Sequence, residues 1–151
     1  MGTAFSDFDQ YARRALPGQL EDHSDNDVIT RVIADTAGVG FGLAVSDIDG
    51  VQCEIPGAGD APNAITLRNF TSQNDATDQP LCEQGRESSL IRKGRVWVAC
   101  AGASAKGQVY VTPDTGAISA SSGGGNLTFE NAKFVTATGS DGMVLVQLNG
   151  N

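Results

Sequence analysis

Histidine is all but missing from this 151-residue chain: His23 stands alone, inside the polar run Glu21-Asp22-His23-Ser24-Asp25. A serine or cysteine nucleophile with a histidine base would have to be built on that one residue. The Gly-x-Ser-x-Gly turn that presents a hydrolase serine does not occur, so no catalytic residue is expected. Cysteine is scarce too. Cys53, Cys82 and Cys100 are an odd number without Cys-x-x-Cys spacing, which argues against a disulfide framework and a zinc site and leaves buried small hydrophobes. Basic residues are outnumbered, 10 against 18 acids, giving a net charge of −8 and a pI near 4.4. That balance repels phosphate backbones and anionic lipid surfaces, so neither nucleic acid nor membrane is an expected partner. No apolar run approaches the roughly 18 residues of a membrane span, and no basic segment leads into an apolar one near the start. A soluble protein made in a reducing cytoplasm is expected.

Aromatics make up only 6% of the chain, whereas glycine reaches 19 residues, a balance that favours short strands and many turns over long helices. The length suits one domain with a core of its own. One helix is expected, at residues 4–16, where Phe5, Phe8, Tyr11 and Leu16 recur at helical spacing before Pro17-Gly18 stops it. Beyond the polar stretch 19–27, apolar and β-branched segments alternate with turn signals at the cadence of a sandwich or barrel. Strands are expected at 28–34, 39–46, 51–55, 64–69, 95–101, 108–112, 132–137 and 143–148, with Asp49-Gly50 as a tight hairpin turn. In the last of these both faces are apolar, which marks a central strand. Gly38-x-Gly40-x-Gly42 clears one face of side chains for a close backbone approach. Residues 71–85 and 120–126 are expected to be loops.

Other patterns carry little chemistry. Asp47-Ile48-Asp49-Gly50 and Asp22-His23-Ser24-Asp25-Asn26-Asp27 offer hard oxygens but lack the spacing of a calcium loop, and read as turn and linker. Gly102-Ala103-Ser104-Ala105-Lys106-Gly107 lacks the Gly-Lys-Ser/Thr order of a phosphate loop. No metal or cofactor is expected.

Candidate contacts with a partner are more legible. Phe5, Phe8, Tyr11 and Leu16 form an aromatic stripe that needs a surface to lie on. Arg86, Arg92, Lys93 and Arg95 gather four of the ten basic residues, and Glu21, Asp22, Asp25 and Asp27 form an acidic run; solvated faces are the ordinary reading of such runs, and docking between copies is the sharper one. Trp97 shares a strand face with Arg95, opposite Val96, Val98 and Cys100. Tyr110 shares one with Gln108 and Thr112, opposite Val109 and Val111, so both rings suit a core edge or an interface.

Arg92-Lys93-Gly94-Arg95-Val96-Trp97-Val98, followed by Gly107-Gln108-Val109-Tyr110-Val111, resembles the core of the structural cement, or capsid decoration, proteins of tailed bacteriophages. Leu16-Pro17-Gly18-Gln19-Leu20, Phe41-Gly42-Leu43-Ala44-Val45 and Asn131-Ala132-Lys133-Phe134 agree in order. The resemblance, which runs from about residue 15 onward, implies a small β-barrel or jelly-roll-like protein; with the residue pattern it gives an all-β fold, a barrel or sandwich at 19–151 preceded by a short N-terminal helix or arm at 1–18. It also implies a non-enzymatic virion protein on the outer surface of the expanded icosahedral capsid, clamping neighbouring major capsid proteins as a homodimer or homotrimer at a local symmetry axis. Such a protein is made in the cytoplasm of the bacterial host. A carbohydrate- or receptor-binding β-sandwich on a virion or cell surface is the alternative, with Trp97 and Tyr110 as its platforms.

Overall fold

Residues 16–21, 26–68, 73–74 and 80–149 are described by the structure, a computed structural model of the chain. The expected N-terminal helix, apart from Leu16, lies outside them, and with it Phe5, Phe8 and Tyr11. The described residues contain strands and no helix: β1 Asp27–Ile33, β2 Val39–Gly40, β3 Ala44–Asp47, β4 Gln52–Glu54, β5 Ala64–Thr66, β6 Gln73–Asn74, β7 Pro80–Cys82, β8 Glu87–Ala99, β9 Gln108–Val111, β10 Ile118–Ser119, β11 Leu127–Phe134 and β12 Met143–Asn149. The all-β class therefore matches the expectation. Among these residues no helix is long and apolar enough to cross a membrane.

The larger sheet runs β1-β4-β3-β5-β8-β12-β11-β9-β10, and β1 also pairs with β8. Strands β1, β4, β3, β5 and the first part of β8 thus form a closed hydrogen-bonded circuit. Each contributes one fully buried side chain to a common cluster: Ile33, Cys53, Val45, Ala64 and Leu90, joined by Val39 of β2 and Cys82 of β7. A second, larger core gathers Val96 and Val98 of β8, Val144, Val146 and Leu148 of β12, Phe129 and Phe134 of β11, and Val109 and Val111 of β9. The loop between β9 and β10 lies back against β3, where the Ala44 amide donates to the Gly116 carbonyl at 2.8 Å.

Strands β3, β5 and β8 are the wall between the two cores. Side chains alternate across a strand, so sequence neighbours there serve different clusters. Ala44, Ile65 and Ile91 face the larger core, whereas Val45, Ala64 and Leu90 face the smaller. Strand β12 is central as expected, paired to β8 from Met143↔Ala99 to Asn149↔Lys93 and to β11 on its other side.

Strand β8 begins eight residues before the position expected from sequence, at Glu87 instead of Arg95. Its first part reads Glu87-Ser88-Ser89-Leu90-Ile91, an adjacent apolar pair among polar residues. With both faces buried, Leu90 and Ile91 each have a core to fill and no alternation is needed. A register shift at Asp27/Val28 and a positive φ of 127° at Gly94 mark the joint where β8 changes partners. A side chain at Gly94 would run into Asn26 and would approach Ile91 Cδ1 to 2.9 Å. Bulges of this kind bend a strand, and here the bend lets one strand serve both cores.

Two further differences follow from tertiary pairing. The 39–46 segment is split into β2 and β3 by residues 41–43, and β2 pairs with β7 through Val39↔Cys82 and Gly40↔Leu81. The expected 71–85 loop holds β6 and β7, which complete a small sheet in the order β2-β7-β6. Strands of two or three residues carry no period-2 signal of their own.

Leu90→Ala and Ile91→Ala should each cost about 2–5 kcal/mol, although the two are adjacent in sequence. On a strand with one solvent face, one of the pair would cost less than about 0.5 kcal/mol. Urea midpoints of the two variants distinguish these outcomes.

Candidate functional site

Residues 16–21 form a strap along the edge of β8 that β12 leaves open. The Gly18 amide donates to the Trp97 carbonyl at 2.8 Å, the Trp97 amide donates to the Gln19 carbonyl at 2.9 Å, and Leu20 bridges to Val96. On the strap's other side the Arg68 amide donates to the Gly18 carbonyl at 2.9 Å and Arg68 Nε to the Pro17 carbonyl at 3.0 Å. The same guanidinium lies over the Phe41 ring, 5.2 Å from its centroid.

Two glycines make this docking possible. Gly18 and Gly42 have φ of +83° and +72°, and a methyl at Gly42 would stand 2.8 Å from Gly18 N and 2.9 Å from Pro17 Cβ. The close approach expected of Gly38-x-Gly40-x-Gly42 is therefore made, at Gly42 against the strap and at Gly38 against the Cys82 carbonyl, 2.7 Å from where a methyl would be. Leu16, at the outer end of the strap, is 50% exposed, so the part of the aromatic stripe that is described faces solvent.

The basic run folds onto the chain's own acids. Arg92 Nε and Nη2 donate to Asp27 Oδ2 at 3.1 and 2.7 Å, Arg95 Nη1 lies 3.6 Å from Glu21 Oε1, and Arg86 Nε lies 3.4 Å from Glu83 Oε2. These pairs are partly or largely solvated, so each contributes about 0–1 kcal/mol. Lys93 is also engaged. Basic and acidic runs that suggested docking between copies thus meet in part within one chain.

Trp97 and Tyr110 are both half-buried, on the face opposite the larger core. They are separated by β12 and β11, roughly 14 Å at the usual strand spacing. Between them the Lys133 ammonium donates to Gln108 Oε1 at 2.7 Å. Gln108 Nε2 donates to the Phe129 carbonyl at 2.7 Å and to the Val109 carbonyl at 3.1 Å, which supplies partners where the β9–β11 register shifts. Neither this role of Gln108 nor the strap role of Arg68 was legible from sequence, because they depend on the carbonyls of Phe129 and of Pro17, far away along the chain.

The three cysteines are free thiols and all are buried. Burial pushes Cys53 up to about 12 and also raises Cys82 and Cys100, so at neutral pH none is the thiolate a nucleophile requires. Among the described residues no group of three or more His, Cys, Asp or Glu side chains is arranged to hold a metal.

The model of a protein family described as structural cement protein (E217 gp24/Pam3 gp6) matches residues 6–149. Among solved structures, a chain from the capsid of Myoviridae phage XM1 is similar at a TM-score of 0.64 and 20% identity, over 89% of either chain, a likeness of fold. No curated protein matches the chain.

Gly42→Ala should lose about 2–5 kcal/mol, since it combines a left-handed backbone with displacement of the strap. Gly85→Ala, at φ +83° with nothing within 4 Å, should lose only about 1–2 kcal/mol, and urea midpoints compare the two. A thiol-specific disulfide reagent at pH 8 should leave the native protein unmodified and label all three cysteines in urea. Because folded thiols hold protons that unfolded ones release, stability should fall as pH rises above about 8.5.

Proposed function

The chain belongs to the structural cement protein family of phages, and from that premise we propose that it binds the outer surface of the expanded icosahedral capsid and clamps neighbouring major capsid proteins. The observation that carries this reading is the family match, which spans 6–149 of the 151 residues. A virion component with a structural role and an association with capsid proteins follows from the family itself. The outer position, the clamping and a homodimer or homotrimer at a local symmetry axis are the finer parts of the reading.

Charge supports the outer position. At −8 the protein is repelled by packaged nucleic acid, whereas the outer face of a shell imposes no such cost. The burial of all three thiols supports a non-enzymatic role, with binding as the whole of the function.

The mechanism is mass action. A protein that binds the expanded shell and not the unexpanded or dissociated one stabilises the expanded state, by about 2.7 kcal/mol per site at a concentration 100 times Kd. Many identical sites then add over the shell, and an oligomer gains further from effective concentration. The N-terminal stripe of Phe5, Phe8, Tyr11 and Leu16 is the first contact in this reading, since aromatic anchors dominate interface energies. Arg86, Arg92, Lys93 and Arg95 come second, as a mixed-charge rim.

Purified protein mixed with expanded shells that lack it should co-sediment with them and raise their disassembly temperature. Unexpanded shells should leave it in the supernatant. Failure to sediment with expanded shells would remove the basis of the proposal.

A further inference from the structure

The hairpin joining β3 to β4 carries two exposed apolar side chains around a single turn. Ile48 is 47% exposed and Val51 62%, on either side of Asp49-Gly50. Turn positions normally favour Gly, Asn, Asp and Ser, and full burial of each such side chain is worth about 1.5–3 kcal/mol. Scattered single residues such as Leu16 or Val28 are ordinary on a surface; two on one hairpin tip are a candidate for contact.

The tip is held firmly. Arg31 Nε and Nη2 donate to Asp47 Oδ2 at 3.0 and 2.9 Å, and both side chains are more than four-fifths buried. Asp47 Oδ1 accepts from the Gly50 amide at 2.8 Å. Asp49 Oδ1 accepts from the amides of Val51 and Gln52 at 2.9 and 2.8 Å, and the Ile48 amide donates to the Gln52 carbonyl at 2.9 Å. Side chains presented on a backbone fixed this way lose little freedom on binding, which is the property of a strong anchor. The tip is also acidic. Asp47 is paired to Arg31 and feels Arg92 as well, whereas Asp49 has no such pair among the described residues, and hydrogen bonds from Gln52 and Val51 hold its exposed carboxyl below its ordinary value, so it stays charged.

Position adds a second argument. The strap touches the chain at Gly42, just before β3, while the tip follows β3 at its other end, so the four residues of β3, about 13 Å of extended strand, lie between the two. Resting on the capsid-binding reading above, we infer that the tip is a second grip: Ile48 and Val51 enter an apolar recess with a basic rim on a capsid subunit other than the one held by the N-terminal segment. A second copy of this chain is the poorer occupant, because two tips meeting about a two-fold axis would bring their carboxylates together.

The test uses expanded shells and three forms of the full chain: wild type, Ile48→Ser/Val51→Ser and Asp49→Asn, which keeps a capping oxygen and removes the charge. Native melting curves should be nearly unchanged for the double variant, whose sites are exposed. Its Kd for shells should be at least tenfold weaker, and Asp49→Asn should bind more weakly with a flatter salt dependence. Wild-type binding with an equally tight double variant would overturn the second grip and leave the capsid reading standing. Shell binding preserved alongside loss of self-association, measured by sedimentation equilibrium, would assign the tip to a second copy and also overturn it. Absence of wild-type binding would overturn both.

Discussion

Strands β3, β5 and β8 are walled in on both sides by packed side chains, and the rest of the molecule is arranged around that fact. Ala44, Val45, Ala64, Ile65, Leu90 and Ile91 are all fully buried, three toward each core. A wall of this kind has no free face for a partner. Its ends remain available, and the structure places the strap at one end of β3 and the β3–β4 hairpin at the other. Contacts at the two ends of one buried strand are mechanically connected through a short, dense path. That suits a protein whose proposed work is to hold neighbouring subunits together.

Much of this was legible where periodicity and local chemistry agree. Val109 and Val111 alternate with Gln108 and Tyr110, and the strand has that burial. Strand β12 reads apolar on both faces and is central; Asp49-Gly50 reads as a hairpin and is one. The start of β8 was not legible, since Leu90-Ile91 looks like neither alternation nor a long buried run until two cores are known to flank it. Strands β6 and β7 were missed for a related reason, because their pairing with β2 comes from tertiary contact. Pro17-Gly18 was read as a helix stop, and its role as a docking element depends on Gly42, far along the chain.

The candidate contact residues divide the same way. Sequence placed Trp97 and Tyr110 on the faces they occupy, but could not reveal that Arg92 and Arg95 have acids of their own chain beside them, at Asp27 and Glu21. Ile48 and Val51 drew no attention because turn prediction says where the chain reverses and not which side chains stay exposed. An apolar residue on either side of a strong Asp-Gly turn was the available signal. Acidity recurs, from the net charge of −8 to the hairpin tip, where Asp47 and Asp49 cap the turn.

The most direct measurement is a cryo-electron microscopy reconstruction of expanded shells saturated with the protein. Added density is expected on the outer surface at local symmetry axes, with the strap end and the Ile48–Val51 tip of one molecule touching two different capsid subunits. Density inside the shell, or contact with a single subunit through an open sheet face, would contradict it.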